Sequence, residues 1–422
     1  MDVSILLLMV LIICVYALWL GLAIRFRLQI DASWAIVIGL FFELAAFIIG
    51  KLVVPDFPFL SFLIPILLAI SFPAIIRSPA KVSKSFSDPG VWAWLVFLMY
   101  CALSLLWSSD PGYGISKLQI ILLRGFIPGL FTALLYRVYG KLSWGPILLV
   151  GSVYALLTLL LGQSSPEYPD RLALAGANPI WAGRLALLLV AVALWNTKWS
   201  WWVKIPAAGL GFLAALATQS RGPLVSFVVA SVLVLIIPYI SARKEQLGKG
   251  IARLAMIVVA CLLALIVLAQ FILPALPGLL DTDRLGTLTS LDQLQVDDNV
   301  QGRMLLQALA IDAFASKPLT GMGLGGVAYS SERDYPHNLI LEIMSELGIF
   351  GLALWAIVVG LSFYAAQGNR LLQVLLIQTF FYSLFSGDLG FNYEFVIFSM
   401  TVFALGPFKL AVRSRELQGV AG

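Results

Sequence analysis

The sequence predicts an all-α polytopic membrane protein with about 12–13 transmembrane helices and one long external loop that contains short helices. Three observations predict it. First, 61% of the 422 residues are hydrophobic and only 12% are charged, against about 25% charge in an ordinary soluble domain. Polar side chain is too scarce to cover a soluble surface, so a soluble enzyme, a disordered chain and a disulfide-rich secreted domain are excluded. Second, the apolar residues gather in runs of about 20, the length at which a helix crosses a hydrocarbon core. They are too uniformly apolar for alternating barrel strands. Third, only one long hydrophilic stretch interrupts them, over 276–347.

The runs lie near 3–24, 34–53, 57–76, 91–107, 118–139, 144–162, 178–197, 199–218, 222–240, 254–275, 348–366, 372–388 and 393–412. The first lacks a basic leader and a clear small-x-small cleavage site, and more runs follow, so it reads as a span. Cys14, Cys101 and Cys261 all sit in apolar runs. They read as small buried hydrophobes, with neither a disulfide framework nor metal-ligand spacing.

Basic residues orient the chain. Arg77, Lys81 and Lys84, then Arg137 and Lys141, then Arg243, Lys244, Lys249 and Arg253, then Arg370, and finally Arg413 and Arg415 all fall on one side. That side is expected to be cytoplasmic, and the net charge of +5 reflects these loops rather than a nucleic-acid partner. The opposite side then holds 108–117, 163–177, 219–221 and 276–347. Arg25 and Arg27 count as cytoplasmic too. This gives thirteen spans with Met1 outside, or twelve with Met1 inside if one early run is re-entrant or merged. The chain divides into N-terminal helices 1–275, a loop 276–347, and C-terminal helices with a tail over 348–422.

The loop is rich in acidic residues, and a loop of this length without function is uncommon. Residues 302–316 read as an amphipathic helix with Met304, Leu305, Ala308 and Ile311 on one stripe. At the loop's far end stands the one histidine of the chain, His337, in Tyr335-Pro336-His337-Asn338. Histidine alone has an ordinary pKa near neutrality, so His337 is a candidate general base. The plainer reading is an interfacial or capping histidine. No second His or Cys lies nearby to form a metal site.

Arginines supply the second signal. Arg124 and Arg184 each lie about seven residues inside their spans, roughly 10 Å below the external surface at 1.5 Å per residue. Arg221 opens the ninth run, in Gln219-Ser220-Arg221-Gly222-Pro223. Charges in spanning helices are costly and commonly functional. Guanidinium groups bind phosphate bidentately. Three at similar depth suggest an anion site, against the alternative that each snorkels to the headgroups. Glu43, isolated in an early run, pairs with an arginine or marks a misplaced helix end. Asp281 and Asp283 read as solvated loop. Gly321-x-Gly323-x-x-Gly326 fits a dinucleotide fingerprint only superficially, because no strand of a βαβ unit precedes it.

Taken together, these features resemble the O-antigen ligase family, which shares its C-terminal signature with some O-antigen polymerases and protein O-oligosaccharyltransferases. The signature runs through Gly302-Arg303, Lys317-Pro318-Leu319-Thr320-Gly321-Met322-Gly323, His337-Asn338 and Glu346-Leu347-Gly348-Ile349-Phe350-Gly351. Ser220-Arg221-Gly222 matches the family's upstream arginine motif, and Trp107-Ser108, Arg171 and Asn178-Pro179 also look like family positions. The strong matches cover about a third of the chain. The resemblance implies a GT-C-like, multi-pass glycosyltransferase of the bacterial inner membrane with its active site facing the periplasm. Its implied donor is a glycan on undecaprenyl pyrophosphate and its acceptor the lipid A core oligosaccharide. Membrane lipids surround it, and it uses no cofactor and no metal. The resemblance places His337 as the base and Arg221 and Arg303 at the diphosphate, with Arg284 a second candidate for the middle arginine. Arg124 and Arg184 are added as diphosphate or first-sugar ligands, and Arg171 and Asn338 as further candidates.

Two other readings stay open. A polymerase or a protein oligosaccharyltransferase uses the same donor with another acceptor. A transporter or flippase for an anionic lipid suits buried arginines and many spans. It usually carries internal repeats, which the sequence lacks, and it gives His337 no role.

Overall fold

A computed structural model describes residues 25, 29–52, 59–165, 168–174, 177–240, 298–327 and 335–405. Its helices are α1 (Ser33–Leu40), α2 (Phe42–Leu52), α3 (Phe59–Arg77), α4 (Pro79–Ser83), α5 (Pro89–Ser104), α6 (Pro111–Ile120), α7 (Ile127–Tyr139), α8 (Gly145–Leu161), α9 (Pro179–Trp195), α10 (Trp201–Ala217), α11 (Arg221–Ile240), α12 (Asp298–Ser316), α13 (Leu339–Ala365), α14 (Arg370–Phe385) and α15 (Tyr393–Leu405). The protein is an all-α polytopic membrane protein.

Local sequence starts these helices by one recurrent device. Asp88, Asp110 and Asn178 each cap with a side-chain oxygen, and a proline follows at the first helical position. The carboxylate or amide satisfies an orphan backbone donor, and proline gives up an N–H that had no partner anyway. Gly140 ends α7 in the left-handed conformation, where a side chain would be strained.

Among the described residues, three helices are long and apolar enough to cross a membrane: Pro89–Trp107, Pro111–Tyr139 and Leu339–Ala365. A fourth candidate is the pair Leu63–Arg77 and Pro79–Ser87, bent by 117°. Shorter apolar helices, among them α8 to α10, α14 and α15, accompany them. The runs expected at 3–24 and 254–275 lie outside the described residues, as do Arg284, Cys14, Cys261, Asp281, Asp283 and most of the basic residues beyond 240.

Helix α15 is the axis of the core. Every residue from Tyr393 to Ala404 is buried, and α1, α5, α7, α13 and α14 pack around it. Close helix approach is set by small residues. A side chain at Gly129 would run into Met400, and one at Gly211 would meet the backbone of Ala186. Cys101 is free and buried, as expected of a small hydrophobe.

Two features differ from the sequence reading. A small antiparallel hairpin, β1 (Gln163–Ser165) with β2 (Tyr168–Ala173), caps the segment after α8. Helix α12 forms as expected, but its apolar stripe does not face the protein. Leu306 and Ala310 pack toward α13, while Met304, Leu305 and Ile311 are 64%, 63% and 54% exposed.

Candidate active site

The site is built on a break in α13. Gly348 has φ 66° and ψ −165°, so the helix is interrupted there. A side chain at Gly348 would collide with the backbone of Leu319. The i to i−4 pattern would join Ile349 N–H to Ser345 and Phe350 N–H to Glu346. Instead, Ile349 and Phe350 donate to the carbonyls of Pro318 and Leu319 at 2.8 and 3.3 Å. The freed carbonyls of Ser345 and Glu346 accept from Met322 and Gly323 at 2.9 and 2.8 Å. Four exchanged hydrogen bonds thus weld the 318–323 loop into the break and re-pair the two donors and two acceptors that the break frees. This gives Gly321, Gly323 and Gly348 a physical role. Each has positive φ, and each touches backbone where a Cβ would not fit.

The first half of α13 presents His337. Asn338 is the N-cap, and its Oδ1 accepts from the N–H groups of Ile340 and Leu341 at 3.0 and 3.2 Å. His337 sits just before it at φ 53°, a left-handed position for a non-glycine residue. Such positions concentrate at functional sites. Its ring lies 4.4 Å from that of Tyr335. Nδ1 is buried without a hydrogen-bond partner among the described residues. Burial, and after it the positive charge of Arg303, pushes the imidazole pKa down to about 4. At neutral pH the ring is therefore uncharged and able to accept a proton.

Arg303, on α12, donates to the carbonyl of Phe385 at 3.2 Å. Phe385 ends α14. Gly222, beside Arg221, lies close enough that its Cβ would be 3.3 Å from the Phe385 Cβ. The C-terminus of α14 therefore draws Arg221 and Arg303 to one corner, and Arg303 reaches toward His337 electrostatically. Arg171 acts upon this corner indirectly. From β2, its Nε donates to Thr218 O at 3.1 Å and its Nη2 to Ser220 Oγ at 2.8 Å. Ser220 Oγ donates in turn to Pro179 O at 3.1 Å, just after the Asn178 cap. The hairpin thus braces the turn that leads into Arg221.

Arg124 and Arg184, expected as diphosphate ligands, are buried inside the bundle. Arg124 occupies a π-helical turn, Ile121–Phe126, between α6 and α7. It is buried, donates to the Tyr393 hydroxyl at 2.8 Å and pairs with Glu43 at 3.2 Å. Arg184 is fully buried. It donates to the carbonyls of Ser386, Phe391 and Tyr382 at 2.6, 3.1 and 3.2 Å and lies 3.5 Å from Glu394. Both guanidinium groups thus bond protein acceptors through their Nη atoms, because a cation in an apolar bundle must be paired where it stands, while the Nε of each has no hydrogen-bond partner among the described residues.

Sequence reasoning passed over the connection 386–392 between α14 and α15, which Arg184 ties down. It also passed over Lys117, buried between Glu342 and Glu346. Asp388 and Asn392 stood out as polar residues between apolar runs and were the available signal.

Residues 206–356 match the family model described as O-antigen ligase. Over about a third of its length the chain is therefore similar to that family. The matched segment contains Arg221, Arg303, His337 and the α13 break, and leaves out Lys117, Arg124 and Arg184. The family is one of O-antigen ligase- and polymerase-type glycosyl transfer, with lipid-linked glycans and lipid acceptors as its general partners. No curated protein matches the chain.

Proposed function

We propose that the chain transfers an O-antigen glycan from undecaprenyl pyrophosphate to a sugar hydroxyl of the lipid A core, at the periplasmic face of the bacterial inner membrane. One observation carries this reading: an uncharged, partly buried histidine stands beside Arg303, and Arg303 shares the Phe385 corner with Arg221. His337 takes the proton from the acceptor hydroxyl as that oxygen attacks the anomeric carbon. The bond from that carbon to the diphosphate oxygen breaks on the opposite face, so configuration inverts. Arg221 and Arg303 hold the diphosphate and stabilise the charge it gains, which a preorganised and partly desolvated site does better than water. The amino-terminal end of α11 adds its positive dipole. A bound diphosphate also offsets the Arg303 charge that depresses His337, so donor binding strengthens the base. Arg171 positions Arg221, and Asn338 holds the backbone next to His337.

The test is a reconstituted transfer assay with a lipid-linked glycan donor and three acceptors. Transfer to lipid A core supports the ligase reading. Chain extension on a second lipid-linked glycan assigns a polymerase, and transfer to Ser or Thr assigns a protein oligosaccharyltransferase. His337→Ala should reduce the rate by about 10²- to 10⁴-fold, the usual contribution of a general base. Full activity in that variant would remove His337 from the mechanism.

A further inference from the structure

We infer that Lys117 is a positioning residue for the proposed transfer: its ammonium, clasped by Glu342 and Glu346, fixes the rotational setting of the half-helix that presents His337. This inference rests on the glycosyl-transfer reading above. The break at Gly348 uncouples residues 339–347 from the rest of α13, so the longer part of the helix cannot set their rotation. The welded loop 318–323 holds one end, and the Asn338 cap shapes the other.

What fixes the face is a buried charge cluster. Lys117 Nζ lies 2.5 Å from Glu342 Oε1 and 2.7 Å from Glu346 Oε1, with all three side chains about 1% exposed. The two glutamates stand at i and i+4, one above the other on a single helix face. Glu342 also accepts from Leu389 N–H, at 3.1 Å to Oε2 and 3.3 Å to Oε1. The cluster therefore joins three elements: α6 through Lys117, the half-helix through both glutamates, and the 386–392 connection through Leu389. That connection follows directly on Phe385, where Arg303 is anchored. The base and the arginine corner are thereby referenced to one buried ammonium.

Stability alone does not call for such a cluster. Well-packed apolar replacements for buried ion pairs are often neutral or stabilising. What charge adds is directionality, because an ammonium between two carboxylates accepts only one rotation of the helix that carries them.

Lys117→Met by itself leaves two buried carboxylates unpaired and risks unfolding. The informative protein is the full-length chain with Lys117→Met, Glu342→Gln and Glu346→Gln together, which removes the charges as a set. His337 is the only histidine, so a single imidazole Cε1–H signal reports on it by proton NMR in nanodiscs without any substrate. We expect the triple variant to elute as a folded protein. Its kcat should fall by about 10²-fold, the scale of a 1 Å misplacement, with the donor KM little changed. Its histidine signal should shift and titrate nearer the ordinary value of about 6.5. Retained kcat with an unshifted histidine signal overturns the inference. If no donor or acceptor supports turnover in the unmutated chain, the transfer reading fails, and the signal alone decides whether Lys117 sets the place of His337: shifted supports it, unshifted overturns it.

Discussion

Two pairs of arginines, both expected at the diphosphate, differ in what surrounds them. Arg124 and Arg184 lie inside apolar helices, buried against Glu43, Tyr393, Glu394 and the carbonyls of 382–391. Arg221 and Arg303 lie at or near helix ends, part-exposed, beside the Phe385 corner. The same residue type thus serves two physical purposes. A guanidinium in an apolar bundle is held by acceptors on neighbouring helices, and its charge is spent on packing. A guanidinium at the bundle's end is part-exposed, where a substrate can approach it. Residue type does not separate the two cases. The position of the acceptors does.

The sharpest way to break this comparison is to exchange the roles by mutation. Arg303→Ala and Arg221→Ala should each lower kcat by about 10²- to 10³-fold, as removal of one preorganised donor does elsewhere, while thermal stability holds. Arg303→Lys should recover only part, because an ammonium cannot make the bidentate contact. Arg184→Met and Arg124→Met should behave oppositely. Each leaves a buried carboxylate unpaired, which costs about 3–5 kcal/mol of stability, while the molecules that remain folded turn over normally. Thermal melting combined with turnover per folded molecule separates the classes. A stable Arg184→Met protein with a raised donor KM would return Arg184 to the diphosphate.

A smaller effect concerns pH. The depressed pKa of His337, about 4, places the acid limb of kcat/KM far below the ordinary histidine value. Activity of the free enzyme should rise with pH through about 4 and then stay level through neutrality, because only the unprotonated ring accepts a proton. Burial is the larger cause of the depression and Arg303 the second. Arg303→Gln should therefore move the limb upward without restoring it fully to about 6.5. The limb of kcat, set in the donor complex, should lie above that of kcat/KM. A limb of kcat/KM that Arg303→Gln leaves where it was would show that the arginine corner and His337 are electrically separate.

Much of the fold was legible in the sequence, since apolar run length and charge scarcity identify spanning helices without knowledge of their neighbours. The signature of 317–323 and 346–351 was legible as a pattern but not as a shape. Nothing in the sequence says that these segments trade four backbone hydrogen bonds across a helix break, because that exchange joins residues 23 and 31 apart in the chain by geometry alone. The partners of Arg124 and Arg184 were half visible. Glu43 stood out as an acid in an apolar run, and Glu394 is another, but which arginine meets which acid depends on helix order around α15. Which face of α12 is buried was not legible for a related reason. Periodicity reports that a helix has faces, and the closeness of its neighbour decides which face is buried.

The smallest predicted effect divides structure from chemistry at Asn338, one residue from His337. Its side-chain oxygen accepts from Ile340 and Leu341, so Asn338→Ala should cost about 1 kcal/mol, the typical worth of an N-cap. Loosening of the first turn should also lower turnover somewhat. Asn338→Ser restores a capping oxygen but offers no amide to a substrate. If the residue acts as a cap alone, the serine variant recovers stability and rate together. If it recovers stability while the rate stays low, Asn338 contacts the reacting groups. The arginine comparison would then gain a third kind of residue, one that braces the site and also touches what binds there.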